Sequence, residues 1–110
     1  MKAMKDRIRN IFELPEQLPS AELFETLWRN DQISIKRILS TGQITPAGEW
    51  YDQEQNEWLM VLQGSGELSY EDNSRIKLTT GDYLLIPSHQ KHRVEYTSTE
   101  PPCIWLTVFF

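Results

Sequence analysis

The sequence predicts a single-domain, all-β protein, on three observations. Apolar and polar residues alternate in several short segments, which is typical of strands with one buried face. Turn-forming residues recur about every ten residues, a spacing that favours an antiparallel sandwich or barrel. No helical segments separate the strands, which excludes a parallel α/β fold. A chain of 110 residues has room for one domain, so residues 1–110 are treated as one unit.

Composition and charge exclude several classes of partner. Eleven Lys and Arg stand against sixteen Asp and Glu, a net charge of −5, which argues against a nucleic-acid partner because such binding depends on clustered basic residues. The apolar runs are far shorter than the roughly 20 residues of a membrane span, so no membrane association is expected. The start carries charge without an apolar stretch and so does not resemble a secretory signal. Cys103 has no partner for an intrachain disulfide and is expected to be buried. Together these features predict a cytoplasmic protein.

The first elements of the chain are the least certain. Residues 1–20 form an N-terminal extension, helical or extended, in which residues 1–13 are predicted to form a short helix because Ile8, Ile11 and Phe12 share one face. Residues 22–28 fit either a helix or a strand. The helix face would carry Leu23, Phe24 and Leu27, and the strand face Phe24, Thr26 and Trp28.

The rest of the chain is predicted to be strands. QISIKRILS alternates, EWLMVLQ is continuously apolar as in a strand buried on both faces, and ELSYE alternates again. Asp72, Asn73 and Ser74 then predict a hairpin turn, since Asn and Asp tolerate positive φ. Three further strands and a C-terminal strand complete the series. The predicted strands cover residues 32–40, 57–63, 67–71, 75–79, 82–87, 92–97 and 103–110.

Two groups of residues carry side chains suited to chemistry. His89 and His92 follow an apolar strand and are three residues apart, and histidine is the commonest metal ligand. By itself such a pair is more often a surface or locally hydrogen-bonded one. Asp52, Glu54 and Glu57 lie among aromatic residues. Glu57 is the most informative because it opens the most hydrophobic strand, where a carboxylate needs a metal, a basic partner or solvent.

Most of the chain resembles the cupin superfamily, which consists of small antiparallel jelly-roll barrels (double-stranded β-helices). One cupin motif reads Gly, five residues, Pro, one residue, Gly, two residues, His. Here it runs from Gly81 through Pro87 to His92, with His89 in place of the inner glycine. The resemblance covers residues 33–108 and implies a single-domain cupin barrel.

The other cupin motif is only half present. Its end, Glu then six residues then Gly, is matched by Glu57 and Gly64. The His-x-His pair expected before the glutamate is missing. Its positions hold Tyr51 and Gln53, or Trp50 and Asp52, depending on the spacing chosen. Tyr51 is expected either to line the pocket mouth or to pack.

The resemblance implies a metal site of altered composition. Metal-binding cupins supply three His and one Glu from inside the barrel. Here Glu57 and His92 occupy matching positions, Asp52 stands at one missing histidine position, and His89 offers a further nitrogen. The expected set is therefore Asp52, Glu57, His89 and His92, holding a divalent Zn, Mn, Fe or Ni ion that the ligand types do not distinguish.

Three functions remain open from the sequence. The first is a metal-binding barrel that acts on or binds a small-molecule metabolite, with the reaction undetermined because one fold hosts many reactions. The second is a non-enzymatic binding module without metal, favoured by loss of the His-x-His pair. The third is a scaffold. A homodimer is expected in which the C-terminal strand and the first strands pair with a second subunit.

Overall fold

The computed structural model describes residues 8–110, which form eight β-strands and no helix. Within those residues, no helix is therefore long and apolar enough to cross a membrane. The strands are β1 (Leu23–Arg29), β2 (Ser34–Ser40), β3 (Glu57–Gln63), β4 (Ser65–Tyr70), β5 (Arg75–Thr79), β6 (Tyr83–Ile86), β7 (His92–Thr97) and β8 (Cys103–Phe109).

The strands form two antiparallel sheets that face each other. One sheet has five strands in the order β1-β2-β8-β3-β6, and the other has three in the order β5-β4-β7. Every strand pair is antiparallel. The all-β, jelly-roll prediction is confirmed, and the hairpin turn falls where expected, with Asn73 at a φ of 68°.

The core lies between the sheets and is set by alternation along each strand. In β3 the inward residues Leu59 and Val61 are buried, whereas the outward ones are half-buried. The expectation that β3 is buried on both faces is therefore wrong for its outer face. Burial raises the pKa of the Cys103 thiol to about 12, so this cysteine is unreactive, as predicted. The core cluster comprises Leu59, Val61, Leu68, Leu78, Ile86, Cys103 and Trp105.

The N-terminal part of the chain is extended rather than helical. Of residues 22–28, all but the first belong to β1, where Leu23 pairs with Leu39 and Phe24 pairs with Ile38 of β2. The pairing with β2 decides between the two patterns that the sequence left open. The helix predicted for residues 1–13 is not formed over residues 8–13, which contain only a turn. Residues 1–7 lie outside the described part of the chain.

The C-terminal strand is not at a sheet edge. β8 lies between β2 and β3, and both its backbone edges are already hydrogen-bonded. It therefore cannot pair with a second subunit in the way expected from the sequence. β1 is the strand at the free edge on that side of the sheet.

Arg37 fastens the N-terminal extension to the outside of the larger sheet. Its guanidinium is buried, donates to the backbone oxygens of Ile11 and Glu13 at 2.9 and 2.6 Å, and forms an ion pair with Glu25. A buried guanidinium with these partners holds the backbone of residues 11–13 at a fixed position on the sheet.

We expect Arg37→Ala to lower the free energy of unfolding by about 1–3 kcal/mol, since it leaves the carbonyl oxygens of Ile11 and Glu13 and the half-buried Glu25 carboxylate without this donor. Limited proteolysis should then cut residues 8–20 sooner than in the wild type. Arg29→Ala, at an exposed position in the same sheet, is the control. Equal cleavage of both variants would show that Arg37 does not hold the extension.

Candidate functional site

A pocket opens between the two sheets beside the core. Its cavity volume is about 60 Å³, several times the ~10–15 Å³ that one water molecule requires. Its walls are mainly apolar and aromatic, with a few polar groups among them, which is the usual composition of a small-molecule site. The lining residues are Glu22, Phe24, Ile38, Tyr51, Gln53, Glu57, Leu59, Leu68, His92, Val94, Trp105, Thr107 and Phe109.

Glu57 and His92 face each other on the pocket wall. The Nε2 atom of His92 lies 3.5 Å from Oε1 of Glu57, and the two side chains are only 5% and 7% exposed. Each opens a strand, Glu57 in β3 and His92 in β7, so the two sheets bring them together from positions far apart in the sequence. The facing arrangement expected from the motif positions is the one observed.

The local backbone fixes the His92 ring. Tyr51 and His92 form an isolated antiparallel bridge, with N–O distances of 2.8 and 3.1 Å, and their rings stack with centroids 5.5 Å apart. His92 Nδ1 lies 3.0 Å from the backbone oxygen of Gln90. A carbonyl oxygen only accepts, so Nδ1 carries a proton and Nε2 is the atom available to Glu57 or to a ligand.

Arg93 holds the loop that leads to Tyr51. Its guanidinium donates to the backbone oxygens of Thr45, Pro46 and Glu49 at 2.8–2.9 Å, and its Nε donates to Glu95. Neighbouring residues of a strand point to opposite faces, so Arg93 points away from His92. Its side chain is half-buried and serves as a structural anchor.

Asp52 and His89 form a second pair, apart from the pocket. Oδ1 of Asp52 lies 2.8 Å from Nδ1 of His89, and the side chains are 42% and 63% exposed. Neither residue belongs to the pocket lining. His89 adopts a φ of 63°, the left-handed conformation that glycine tolerates best. This explains why a glycine fits the motif at this position.

We expect His89→Gly to leave stability unchanged or to raise it by about 1 kcal/mol. Glycine removes the cost of a positive φ, roughly 1–2 kcal/mol, while the exposed ion pair that is lost contributes only about 0–1 kcal/mol. Urea denaturation measures the difference. A loss above about 1 kcal/mol would mean that the His89–Asp52 pair is structurally important.

The pocket fits the four-ligand metal site of cupins only in part. Tyr51 and Gln53 line the pocket, so they, rather than Trp50 and Asp52, occupy the inward positions of the missing histidines. Within residues 8–110, no group of three or more His, Cys, Asp or Glu side chains is placed to hold a metal ion. The four predicted ligands are thus divided between the inner pair, Glu57 and His92, and the outer pair, Asp52 and His89.

The structure adds two pocket residues that the sequence analysis missed. Glu22 precedes the region that resembles cupins, and nothing in the sequence placed it inside the barrel. Its carboxylate accepts a hydrogen bond from Ser40, whose oxygen in turn accepts one from the indole of Trp105. Thr107 is a polar residue between two inward-facing aromatic residues of β8, Trp105 and Phe109, and the alternation of that strand could have identified it.

Comparisons with known proteins agree with this architecture. Residues 38–109 match the Cupin domain family. A crystal structure from Ralstonia eutropha JMP134, of a protein provisionally named a mannose-6-phosphate isomerase, is 37% identical and has a TM-score of 0.87, covering 93% of this chain and 95% of that one. A cupin superfamily protein from Desulfitobacterium hafniense DCB-2 is 18% identical, with a TM-score of 0.71, covering 87% and 83% of the two chains.

A third structure shares the fold at low identity. The polyketide cyclase RemF from Streptomyces resistomycificus is 21% identical with a TM-score of 0.68, covering 82% of this chain and 65% of that one. No curated protein matches the chain.

Proposed function

Since this chain belongs to the cupin domain family, we propose that it binds a small-molecule metabolite in the barrel pocket, at Glu57 and His92. The observation that carries the proposal is the buried pair itself, whose Oε1 and Nε2 atoms lie 3.5 Å apart on the wall of an otherwise apolar pocket. The two groups face each other, but a buried pair repays its desolvation only when further hydrogen bonds satisfy its remaining polar atoms. A bound ligand would interact with both.

The pair is suited to proton transfer on a bound substrate. With Nδ1 of His92 donating to the Gln90 carbonyl, a single proton shared between Nε2 and Glu57 can be given to or taken from a substrate atom. Movement of one proton is the kind of step that an isomerase needs. The provisional name of the Ralstonia protein is in line with this chemistry, and Tyr51 stacked on the ring keeps the imidazole oriented.

A small-molecule screen by thermal denaturation tests the proposal, because a ligand that binds only the native state raises its stability. We expect some metabolites to raise the melting temperature of the wild type. Glu57→Gln should abolish this rise, whereas Asp52→Asn, the matched change in the exposed pair, should leave it intact. Stabilisation that survives Glu57→Gln but not Asp52→Asn would move the site out of the pocket.

A divalent ion (Zn, Mn, Fe or Ni) held by Glu57 and His92 is the second candidate. The 3.5 Å separation of their donor atoms suits two ligands of one ion, and the Nδ1 contact with a backbone carbonyl is typical of metal-binding histidines. Asp52 and His89 would then contribute only from outside the pocket. Two strong donors predict weak binding, since structural and catalytic sites commonly use three or four.

Metal analysis separates the two candidates. Protein loaded in turn with Zn, Mn, Fe and Ni and then desalted should retain less than one ion per chain if the metabolite site is metal-free. Stoichiometric metal that is lost in His92→Ala and kept in His89→Gly would favour the second candidate.

The predicted homodimer and cytoplasmic location stay predictions. With β8 inside its sheet, we propose that any pairing between subunits uses the free edge of β1. Light scattering after size-exclusion chromatography measures the mass, and Thr26→Pro within β1 should shift a dimer to the monomer.

A further inference from the structure

The charge of the pocket points to the class of ligand. Two carboxylates, Glu22 and Glu57, line it together with one imidazole, and no lysine or arginine among residues 8–110 belongs to the lining. With both carboxylates ionised, the net charge of the site is negative whether His92 is neutral or protonated. A phosphate or carboxylate ligand would therefore find two carboxylates in the described lining and neither Arg nor Lys, the side chains that usually hold such anions.

Aromatic side chains of the pocket also favour a cationic ligand. Phe24, Tyr51, Trp105 and Phe109 form much of the pocket wall, and aromatic faces attract cations through their quadrupoles. One basic side chain contacts a lining residue: Nζ of Lys36 lies 5.3 Å from the centroid of the Phe109 ring. Lys36 is not itself part of the lining.

Glu22 is held in place but poorly solvated. Ser40 donates to its carboxylate and the Trp105 indole fixes Ser40. Burial raises the pKa of the Glu22 carboxyl, and the hydrogen bond from Ser40 only partly opposes this. A cation bound beside the carboxylate would restore the interactions that burial removes.

An independent observation points to a missing ligand contact. Thr107 is 1% exposed and lines the pocket. Its Oγ1 is the one buried side-chain polar atom without a hydrogen-bond partner in the described part of the chain. Such groups are rare in native structures because each costs free energy. A hydrogen-bonding group of a ligand would satisfy it.

We infer that the pocket takes a small organic amine in its ammonium form, held by Glu22 and Glu57 and by the surrounding aromatic rings, with a further hydrogen bond to Thr107. This inference rests on the proposed function and narrows it. It excludes sugar phosphates and other anions as the primary ligands.

Two matched probe series test the inference in EDTA-treated protein. Benzylamine, benzyl alcohol and benzoate share one ring and differ in charge, as do mannosamine, mannose and mannose-6-phosphate. Binding is followed by NMR, on the indole N–H of Trp105 and the backbone amides of the pocket. We expect the amine of at least one series to bind roughly tenfold more tightly than its neutral partner, which is the effect of one charge-assisted contact. The anions should not saturate the binding site.

Variants show whether the named residues cause the preference. Glu22→Gln should weaken the amine roughly tenfold and leave its neutral partner nearly unchanged, whereas Glu16→Gln, an exposed change of equal charge, should affect neither. Thr107→Val should raise the melting temperature of the empty protein, because it removes an unsatisfied hydroxyl, and should also weaken the amine. If Thr107 had a purely structural role, its substitution would not raise the melting temperature and weaken amine binding at the same time.

The outcomes distinguish this inference from the proposed function. If the neutral or anionic members bind the pocket as tightly as the amines, or if Glu22→Gln has no selective effect, the amine inference is overturned while the pocket remains a binding site. If no probe, whatever its charge, shifts the NMR signals of the pocket residues, both proposals fail.

Discussion

Replacing His92 with alanine should lower the free energy of unfolding by about 3 kcal/mol, because it strands the Glu57 carboxylate in a buried site. Removing one member of a buried ion pair generally costs about 3–5 kcal/mol, and the neighbouring pocket, which can admit water, places this pair at the lower end. The stacking contact with Tyr51 is lost as well. Urea denaturation of both proteins gives the difference.

A second substitution tests the cause of this loss. In the His92→Ala background, Glu57→Gln should recover part of the lost stability, since it removes the unpaired charge, although the same change in the wild type should destabilise. Asp52→Ala, which breaks the exposed pair, should cost less than about 1 kcal/mol. Equal losses for His92→Ala and Asp52→Ala would mean that burial does not distinguish the two pairs.

Gly64→Ala should also be strongly destabilising, by about 3 kcal/mol or more. Gly64 has a φ of +77°, and an added Cβ would clash with Oγ of Ser98 and lie 2.9 Å from the backbone oxygen of Pro102. The positive φ costs roughly 1–2 kcal/mol. The contact with backbone adds about 1–3 kcal/mol, because a carbonyl in a packed segment cannot move aside freely.

Gly81→Ala separates these two causes. Gly81 has a φ of +91°, but nothing lies within 4 Å of an added Cβ, so its substitution should cost only the backbone part, about 1–2 kcal/mol. The melting temperatures of the two variants measure the contribution of the clash. If both variants lost the same stability, the close approach of Gly64 to Pro102 would not be the reason that glycine is needed at this position.

Much of the fold could be predicted because local patterns and long-range packing agree. β3, β5 and β7 begin and end where alternation and turn residues predicted, at 57–63, 75–79 and 92–97. Residues 22–28 could not be assigned, since Phe24 fits both a helix face and a strand face. Only the pairing of β1 with β2 settles that segment, and a short isolated helix over residues 8–13 has no comparable partner.

The site was predictable only where a motif fixes the direction of a side chain. Glu57 and His92 open regular strands, and their positions in the cupin motifs imply that they point inward. Asp52 lies in an irregular loop, where a shift of one residue exchanges the two faces, and Tyr51 and Gln53 point inward instead. Glu22 immediately precedes the edge strand β1 and lies outside the motifs, so only the tertiary structure reveals that it lines the pocket.

The two histidines of this chain make a direct test possible. In untagged protein the imidazole Hε1 protons give two NMR signals, and the spectrum of His89→Gly assigns them. Titration with the compound that most raises the melting temperature should shift the His92 signal to saturation and leave the His89 signal unchanged. A saturable shift of the His89 signal alone, or of neither, would show that ligands do not bind at the Glu57–His92 pair.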